Sequence, residues 1–350
     1  MPRKSSISSQ SIASTGRSPR IALIGCGAIA EGYYMPALAR HRRILESMLL
    51  VDHNFSRARH LAARFRIKQC FADHRAVLDT VDGAIIALPT PLHHSISLEF
   101  LSRRIPVLCE KPLADSTAKA LEMIELAHKM EVALAANYQQ RLWPQFVKVK
   151  ELILDRSLGE PVRIKYQAGD KFTWPTVSGF QFNSAGGRHG ILLDRGAHVL
   201  DHICWWLGDK PKLIVSQNDS FGGIDAVAYA RFEHNKCVGE VKLSWLSNYP
   251  GRFLVEFELG SIQGEIYYPQ SVLLKMGAGP QKRVKLKAET YKTLGHRMVD
   301  NFIDVIVGRE TPLVPATSVL DSIKLTDDCY AAATRFHMPW YSIFEAINDQ

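Results

Sequence analysis

Apolar residues in the first third of the chain fall in short runs: Ile21–Ile24, then 48–52, 83–88, 105–110 and 131–137. Between them, as in FSRARHLAARF (55–65) and around 92–103 and 115–130, apolar positions recur every three or four residues. Short continuous runs read as strands buried on both faces, and the longer spacing reads as amphipathic helices. Their alternation predicts an α/β unit, a doubly wound parallel sheet with helices on both sides.

After NYQQRLWP (137–144) the pattern changes. One helix, about 145–157, leads to PVRIKYQAG (161–169) and then to an irregular stretch over 170–190. GILLDRGAHVLDHICWWLG (190–208) reads as a helix ending near Gly208. PKLIVSQ, DAVAYARFE, KCVGEVKLSW, RFLVEFELG and GEIYYP then alternate apolar and polar residues, with turn residues between them. That is the signature of half-exposed strands, so an α+β second domain is expected, with a large, mostly antiparallel sheet open on one face. Helices around 292–307 and 316–335 close the pattern. The expected organisation is a disordered tail over 1–18, a Rossmann-type domain over 19–140 and a second domain over 141–350.

A chain of 350 residues is too long for one ordinary core and fits two. Its 46% hydrophobic and 22% charged residues are those of a water-soluble globular protein, and no apolar run reaches transmembrane length. The 43 Lys and Arg against 35 Asp and Glu are spread out, with no basic block interleaved with aromatics, so nucleic acid is not an expected partner. Six cysteines without a Cys-x-x-Cys pair read as reduced core residues of a cytoplasmic protein. Residues 1–20 are rich in serine, with four basic residues and no acid. They lack the apolar core of a secretory signal, although their composition overlaps with organelle transit peptides.

Gly25-Cys26-Gly27-Ala28-Ile29-Ala30 fits G-x-G-x-x-A, placed after the first strand and opening a helix. The first glycine permits a tight turn, the second lets the backbone approach a pyrophosphate, and the alanine allows close helix–strand packing. The helix N-terminus favours the phosphate. Asp52, ending the second strand 27 residues after Gly25, can accept hydrogen bonds from the ribose hydroxyls of NAD and would repel a 2′-phosphate. Arg57 and Arg59 lie near enough to keep NADP open. ALPTPLHH (87–94) ends a later strand on the edge where such sheets bind ligands, so His93 is a candidate for the cofactor pocket.

VLCEKPLA (107–114) places a charged Lys111 between Glu110 and Pro112 at the end of an apolar run. In the helix over 190–208, Asp194 and His198 are four apart and share a face. A histidine supplies a base near neutral pH, and a carboxylate beside it can orient the ring or bind a hydroxyl. His198 and His202 also have the spacing of a helical zinc pair, but nothing nearby specifies a third ligand, so no metal is expected.

Together these pieces resemble the Gfo/Idh/MocA family of oxidoreductases over roughly residues 19–340. The features that carry the resemblance are Glu110-Lys111-Pro112 after a Rossmann half and the pattern Gly190-x-Leu192-x-Asp194-x-Gly196-x-His198-x-x-Asp201. The resemblance implies that Lys111 is the catalytic lysine and that Asp194 and His198 complete the catalytic group. Candidate dinucleotide contacts are Gly25, Gly27, Ala28, Ile29 and Asp52, then Leu88, Pro89, Thr90 and His93, and finally Glu110, Lys111 and Asn137. Candidate substrate contacts are Arg141, Trp174, Arg188 and His189. GGRHGILLD departs from the family's usual run of glycines by inserting Arg188 and His189, which can suit a phosphate or carboxylate or can simply decorate the surface. The implied activity is NAD(P)-dependent interconversion of a secondary alcohol and a ketone on a sugar, nucleotide-sugar or cyclitol. Transient oxidation with elimination or hydrolysis of a glycoside, and a non-catalytic dinucleotide-binding regulator, are the alternatives. A homodimer or homotetramer through the C-terminal sheet is also implied.

Overall fold

The apolar runs of the first third pair as parallel strands. In the computed structural model, which describes residues 17–175, 179, 182, 189–220, 224–267 and 269–336, they are β1 (Ile21–Ile24), β2 (Leu49–Val51), β3 (Gln69–Phe71), β4 (Gly83–Ile86), β5 (Val107–Glu110) and β6 (Leu134–Asn137). They form one sheet in the order β3-β2-β1-β4-β5-β6, all parallel. This is the doubly wound order, which puts the strand-order reversal beside the loop after β1. β1, β4, β5 and β6 are buried throughout, as strands with helices on both faces must be.

The helix after β1 departs from regular geometry. It opens with a π-helical turn over Ala30–Tyr34, in which Met35 N–H donates to Ala30 O, before a short α-helix, α1 (Met35–Leu38). Pro36 has no N–H, and its ring would crowd the carbonyl four residues back in a regular α ladder; a wider turn relieves that conflict. The next helices are α2 (Arg42–Ser47), α3 (Phe55–Phe65), α4 (His93–Leu101) and α5 (Thr117–Lys129). Of the expected tail, residues 1–16 lie outside the described residues, and Arg17 pairs with Asp82 at 2.7 Å.

The second sheet has nine strands: β7 (Pro161–Gly169), β8 (Lys212–Asn218), β9 (Val227–His234), β10 (Cys237–Ser244), β11 (Tyr249–Phe257), β12 (Gly260–Glu265), β13 (Ser271–Met276), β14 (Lys282–Lys285) and β15 (Ala333–Arg335). Neighbours are antiparallel except β7 with β10 and β8 with β15. Of the expected strand GEIYYP, Gly264 and Glu265 end β12, Ile266 and Tyr267 lie beyond it, and Tyr268 lies outside the described residues. β12 begins earlier, because Phe257 pairs with Gly260 across a tight hairpin. β13 and β14 escape the alternation test because they are short or charged at the sheet edge.

Helices α6 (Pro144–Asp155), α7 (Ile191–Leu207) and α9 (Leu320–Ala331) cover one face of this sheet. Phe146, Ile203 and Trp206 pack there against Tyr166, Phe232 and Phe253. The other face carries exposed Arg163, Lys165, Arg231, Lys242 and Arg252. The remaining helix, α8 (Tyr291–Ile306), turns back: its Met298, Val299 and Phe302 belong to the core of the first sheet. Ala136 N–H also donates to Val314 O at 3.0 Å. The expected division at 140/141 therefore separates the two sheets, but the first core is completed by residues near the far end of the chain.

Candidate active site

The loop after β1 is shaped by two glycines. Gly25 has φ +97, and a Cβ there would lie 2.3 Å from Ala87 O. Its N–H donates to Val51 O at 2.7 Å, closing the turn. A Cβ on Gly27 would meet nothing within 4 Å, so the space above that backbone is open for the close approach a pyrophosphate needs. Ala30 is fully buried against the sheet. Asp52 is 5% exposed, and its two oxygens accept from Cys26 N and Asn54 N, each at 2.8 Å. Both oxygens keep lone pairs for a ribose hydroxyl. Arg57 and His53 stand beside it on the wall of the same cleft.

That cleft, about 580 Å³, runs from Gly25, Gly27, Ala28, Ile29 and Asp52 past Leu88, Pro89 and Thr90 to Glu110 and Lys111. His93 does not line it. Its ring is buried, with Nδ1 2.8 Å from Pro112 O and Nε2 2.8 Å from Leu88 O, and burial lowers its pKa. It links the two loops from behind, so its expected cofactor contact is corrected.

Glu110 is held by Tyr34 Oη–H at 2.8 Å and Asn137 Nδ2–H at 2.6 Å, both donating to Oε1. Burial pushes its pKa up. Asn137 is 0% exposed, behind Glu110 and off the cleft wall, which corrects its place among the cofactor contacts. The Lys111–Pro112 peptide is cis.

Lys111 is brought to α7 of the second domain. Its Nζ donates to Asp194 Oδ1 at 2.5 Å and to Asp194 O at 2.9 Å. The two side chains are 18% and 40% exposed. Asp194 therefore holds Lys111, not the His198 ring, in contrast to one role expected for it. His198 lines the cleft one turn on, with a buried Nδ1 that has no partner. Burial, then the nearby Lys111, His202 and Arg195, hold its pKa well below 6.5.

The later turns of α7 are structural. Asp201 takes both arms of Arg141, with Nε–Oδ2 at 2.7 Å and Nη2–Oδ1 at 2.6 Å, and Ser318 takes the remaining donors. Both residues are buried, so Arg141 is a buried ion-pair partner and not the expected substrate contact. His202 is 4.0 Å from the Phe146 ring and stacks on Trp206, and burial drops its pKa to about 3. It faces the aromatic core, away from any partnership with His198 over a metal. No group of three or more His, Cys, Asp or Glu stands ready for a metal among the described residues.

Trp174 and His189 line the cleft, and burial lowers the His189 pKa. Arg188 lies outside the described residues. Several residues that sequence reasoning missed also line it, among them Asp170, Arg195, Tyr267 and Tyr291. Asp225 was missed too: its Oδ2 accepts from Leu192 N at 2.8 Å and its carbonyl from Ile191 N at 2.7 Å, fixing the first turn of α7. Before an alternating strand, an aspartate reads only as a turn residue.

An open glycine backbone at a helix start, a ribose-side carboxylate and a long concave cleft together fit a dinucleotide. Fold and cleft thus define a two-domain dinucleotide-binding α/β protein of the oxidoreductase type. Residues 19–138 match the model of the oxidoreductase family with an NAD-binding Rossmann fold, and residues 146–263 match the GFO/IDH/MocA C-terminal domain. The chain belongs to the Gfo/Idh/MocA family. It is 32% identical to an inositol 2-dehydrogenase of Acidothermus cellulolyticus over 42% of this chain and 44% of that protein. It is 28% identical to a D-glucoside 3-dehydrogenase of Escherichia coli over 54% of each. The chain spans about half the length of the curated relatives it matches. A 3-ketoreductase from Actinomadura kijaniata, in complex with NADP and TDP-benzene, shares the fold at TM-score 0.79 and 19% identity, over 92% of this chain and 100% of that one.

Proposed function

We propose that this protein is an NAD(P)-dependent oxidoreductase that interconverts a secondary alcohol and a ketone on a sugar, nucleotide-sugar or cyclitol. One observation carries the reading: Lys111 from the parallel sheet meets Asp194 and His198 from α7 in the cleft that begins at Gly25, Gly27 and Asp52. The names of the relatives, inositol 2-dehydrogenase and D-glucoside 3-dehydrogenase, support the same class. Gly25, Gly27, Ala28, Ile29, Asp52 and the Leu88–Thr90 loop would hold the dinucleotide, with NADP admitted by Arg57. When bound, the nicotinamide supplies hydride transfer.

The chain's own part is proton and charge control. Asp194 fixes the Lys111 ammonium through two contacts, so the charge is in place before the substrate arrives. That ammonium hydrogen-bonds the reacting oxygen and stabilises its alkoxide character. His198 lines the cleft, and burial with the nearby cation favours its neutral ring, the form that accepts a proton. In the reducing direction the proton returns to the ketone oxygen from the His198 imidazolium, which burial and the adjacent cation make a readier acid, while Lys111 hydrogen-bonds the same oxygen.

The test is nicotinamide absorbance of the purified protein with NAD or NADP and a panel of sugars, cyclitols and nucleotide sugars. Stoichiometric NAD(P)H formation supports the reading. Substrate conversion without accumulation of reduced cofactor would replace it with transient oxidation. Cofactor binding with no chemistry would leave a regulator.

A homodimer or homotetramer through the helix-free face of the second sheet belongs to the proposal. Exposed Lys165, Arg231 and Lys242 beside Glu233 and Glu265 give that face both signs of charge, as a self-complementary contact needs. A cytoplasmic location is supported by six free cysteines, five of them buried. No helix among the described residues is long and apolar enough to cross a membrane.

A further inference from the structure

The proposed chemistry leaves one end of the cleft unused. Next to Asp194 on α7, Arg195 turns its guanidinium onto Asp170: Nη2 donates to Oδ2 at 2.9 Å and Nη1 to Oδ1. The guanidinium carbon also lies 5.5 Å over the Tyr267 ring. Phe172 and Trp245 meet edge to face at 5.0 Å, and Trp174 and Tyr291 do so at 6.2 Å. All of these residues line the cleft, and Trp174 is 43% exposed although Trp143, Trp206 and Trp245 are buried.

Two features of this end select a ligand chemistry. The first is charge. Lys111 is closed onto Asp194 and Arg195 onto Asp170. A phosphate here would have to pull Arg195 off Asp170 and sit near two carboxylates, a costly arrangement in a half-buried site. The pair as it stands is neutral and offers a carboxylate acceptor beside guanidinium donors, which suits vicinal hydroxyls. The second is shape. Aromatic faces and edges offer flat apolar area to the C–H face of a sugar or to an uncharged ring. A cyclitol over Lys111 and His198 would need none of this.

Building on the redox reading above, we infer that Asp170, Arg195 and the Phe172–Trp174–Trp245–Tyr267 wall form a subsite for an uncharged second ring. The preferred substrate is then a neutral glycoside and neither a sugar phosphate nor a free cyclitol. The subsite binds the ring next to the one that is oxidised and takes no part in hydride or proton transfer.

Two measurements on the full chain with NAD test this: initial rates, and quenching of tryptophan fluorescence by each ligand. The probes are a set of phenyl hexopyranosides, glucose 6-phosphate and myo-inositol. A phenyl glycoside should exceed both others in kcat/KM by about ten-fold or more, the weight of one or two good contacts. Asp170→Asn should raise KM for that glycoside about ten-fold, with kcat within about three-fold and myo-inositol unaffected. A higher kcat/KM for glucose 6-phosphate or myo-inositol, an equal loss on every substrate in Asp170→Asn, or a glycoside that neither turns over nor quenches would overturn the subsite. Glycoside quenching that Asp170→Asn weakens, without NADH formation from any probe, would leave the subsite standing and remove the redox reading.

Discussion

Lys111 sits at the end of a buried strand, and its charge is tolerable there because Asp194 meets it from another domain. In the proposed mechanism Lys111 stabilises the oxyanion, so Lys111→Met should lower kcat/KM by about 10²–10³-fold. NADH binding, read by nicotinamide fluorescence, should change little; retained turnover would take Lys111 out of the chemistry. Asp52→Ala should weaken NAD by about ten-fold and NADP much less, because only the ribose of NAD offers a 2′-hydroxyl to the carboxylate. Calorimetric titration of both cofactors decides this, and an unchanged ratio counts against Asp52. The pH profile follows from His198. Its folded pKa lies well below 6.5, so the neutral ring persists as pH falls through 6.5. The acid limb of kcat/KM assigned to His198 should therefore lie below that value. A limb at 6.5 that disappears in His198→Gln would contradict the assignment.

α7 joins the proposed site to the stability of the second domain along its length. Its first turn is fixed by Asp225 and carries Asp194, its second brings His198 to the cleft, and its later turns are locked by Arg141–Asp201 and the aromatic packing of His202. Asp201→Ala would leave Arg141 as an uncompensated buried charge, which costs about 3–5 kcal/mol. Scanning calorimetry should show a clearly lower Tm, while Asp201→Ala protein that still folds should bind cofactor normally. His202 makes a separate prediction. Its folded pKa is about 3 against an ordinary 6.5, so the unfolded chain binds an extra proton between those values and stability falls as pH drops through that window. His202→Phe removes the proton site and keeps the aromatic packing. Its acid-unfolding midpoint should move to lower pH; a midpoint at the wild-type value would show that His202 does not drive acid sensitivity.

At the scale of the whole molecule, the first core depends on the far end of the chain. Met298, Val299, Phe302 and Ile306 are buried in it, and Val314 bonds to β6. A fragment ending at residue 140 exposes the apolar surface that α8 covers, so it should lack a cooperative thermal transition where the full chain has one. A sharp transition in the fragment would show that the first sheet is self-sufficient. The seams of this assembly explain what sequence reading could and could not reach. Periodicity located β1, β7 and α7 almost to the residue, because burial on both faces or on one face leaves a direct trace in residue order. It said nothing of α8 crossing to the first sheet, since an amphipathic helix shows that it has a partner and not which one. Pro36 was visible, but the π-helical turn that accommodates it follows from the neighbouring turns. His93, Asn137 and Arg141 read as site residues by position. Each instead spends its polar atoms on buried neighbours, and only packing reveals those neighbours.

The sequence by itself determined the sheet and helix content, the glycine turn after β1, Asp52 at the end of β2, and Lys111, Asp194 and His198 as candidates that the fold brings to one cleft. Those features are local, with fixed spacing along a strand, a turn or a helix face. Tertiary structure decided the pairings: Asp194 with Lys111 in preference to His198, Arg141 with Asp201, and Arg195 with Asp170 at the far end of the cleft. These contacts join positions 25 to 83 residues apart. No spacing rule reaches that far, because the chain between them is free to take many paths until the cores close.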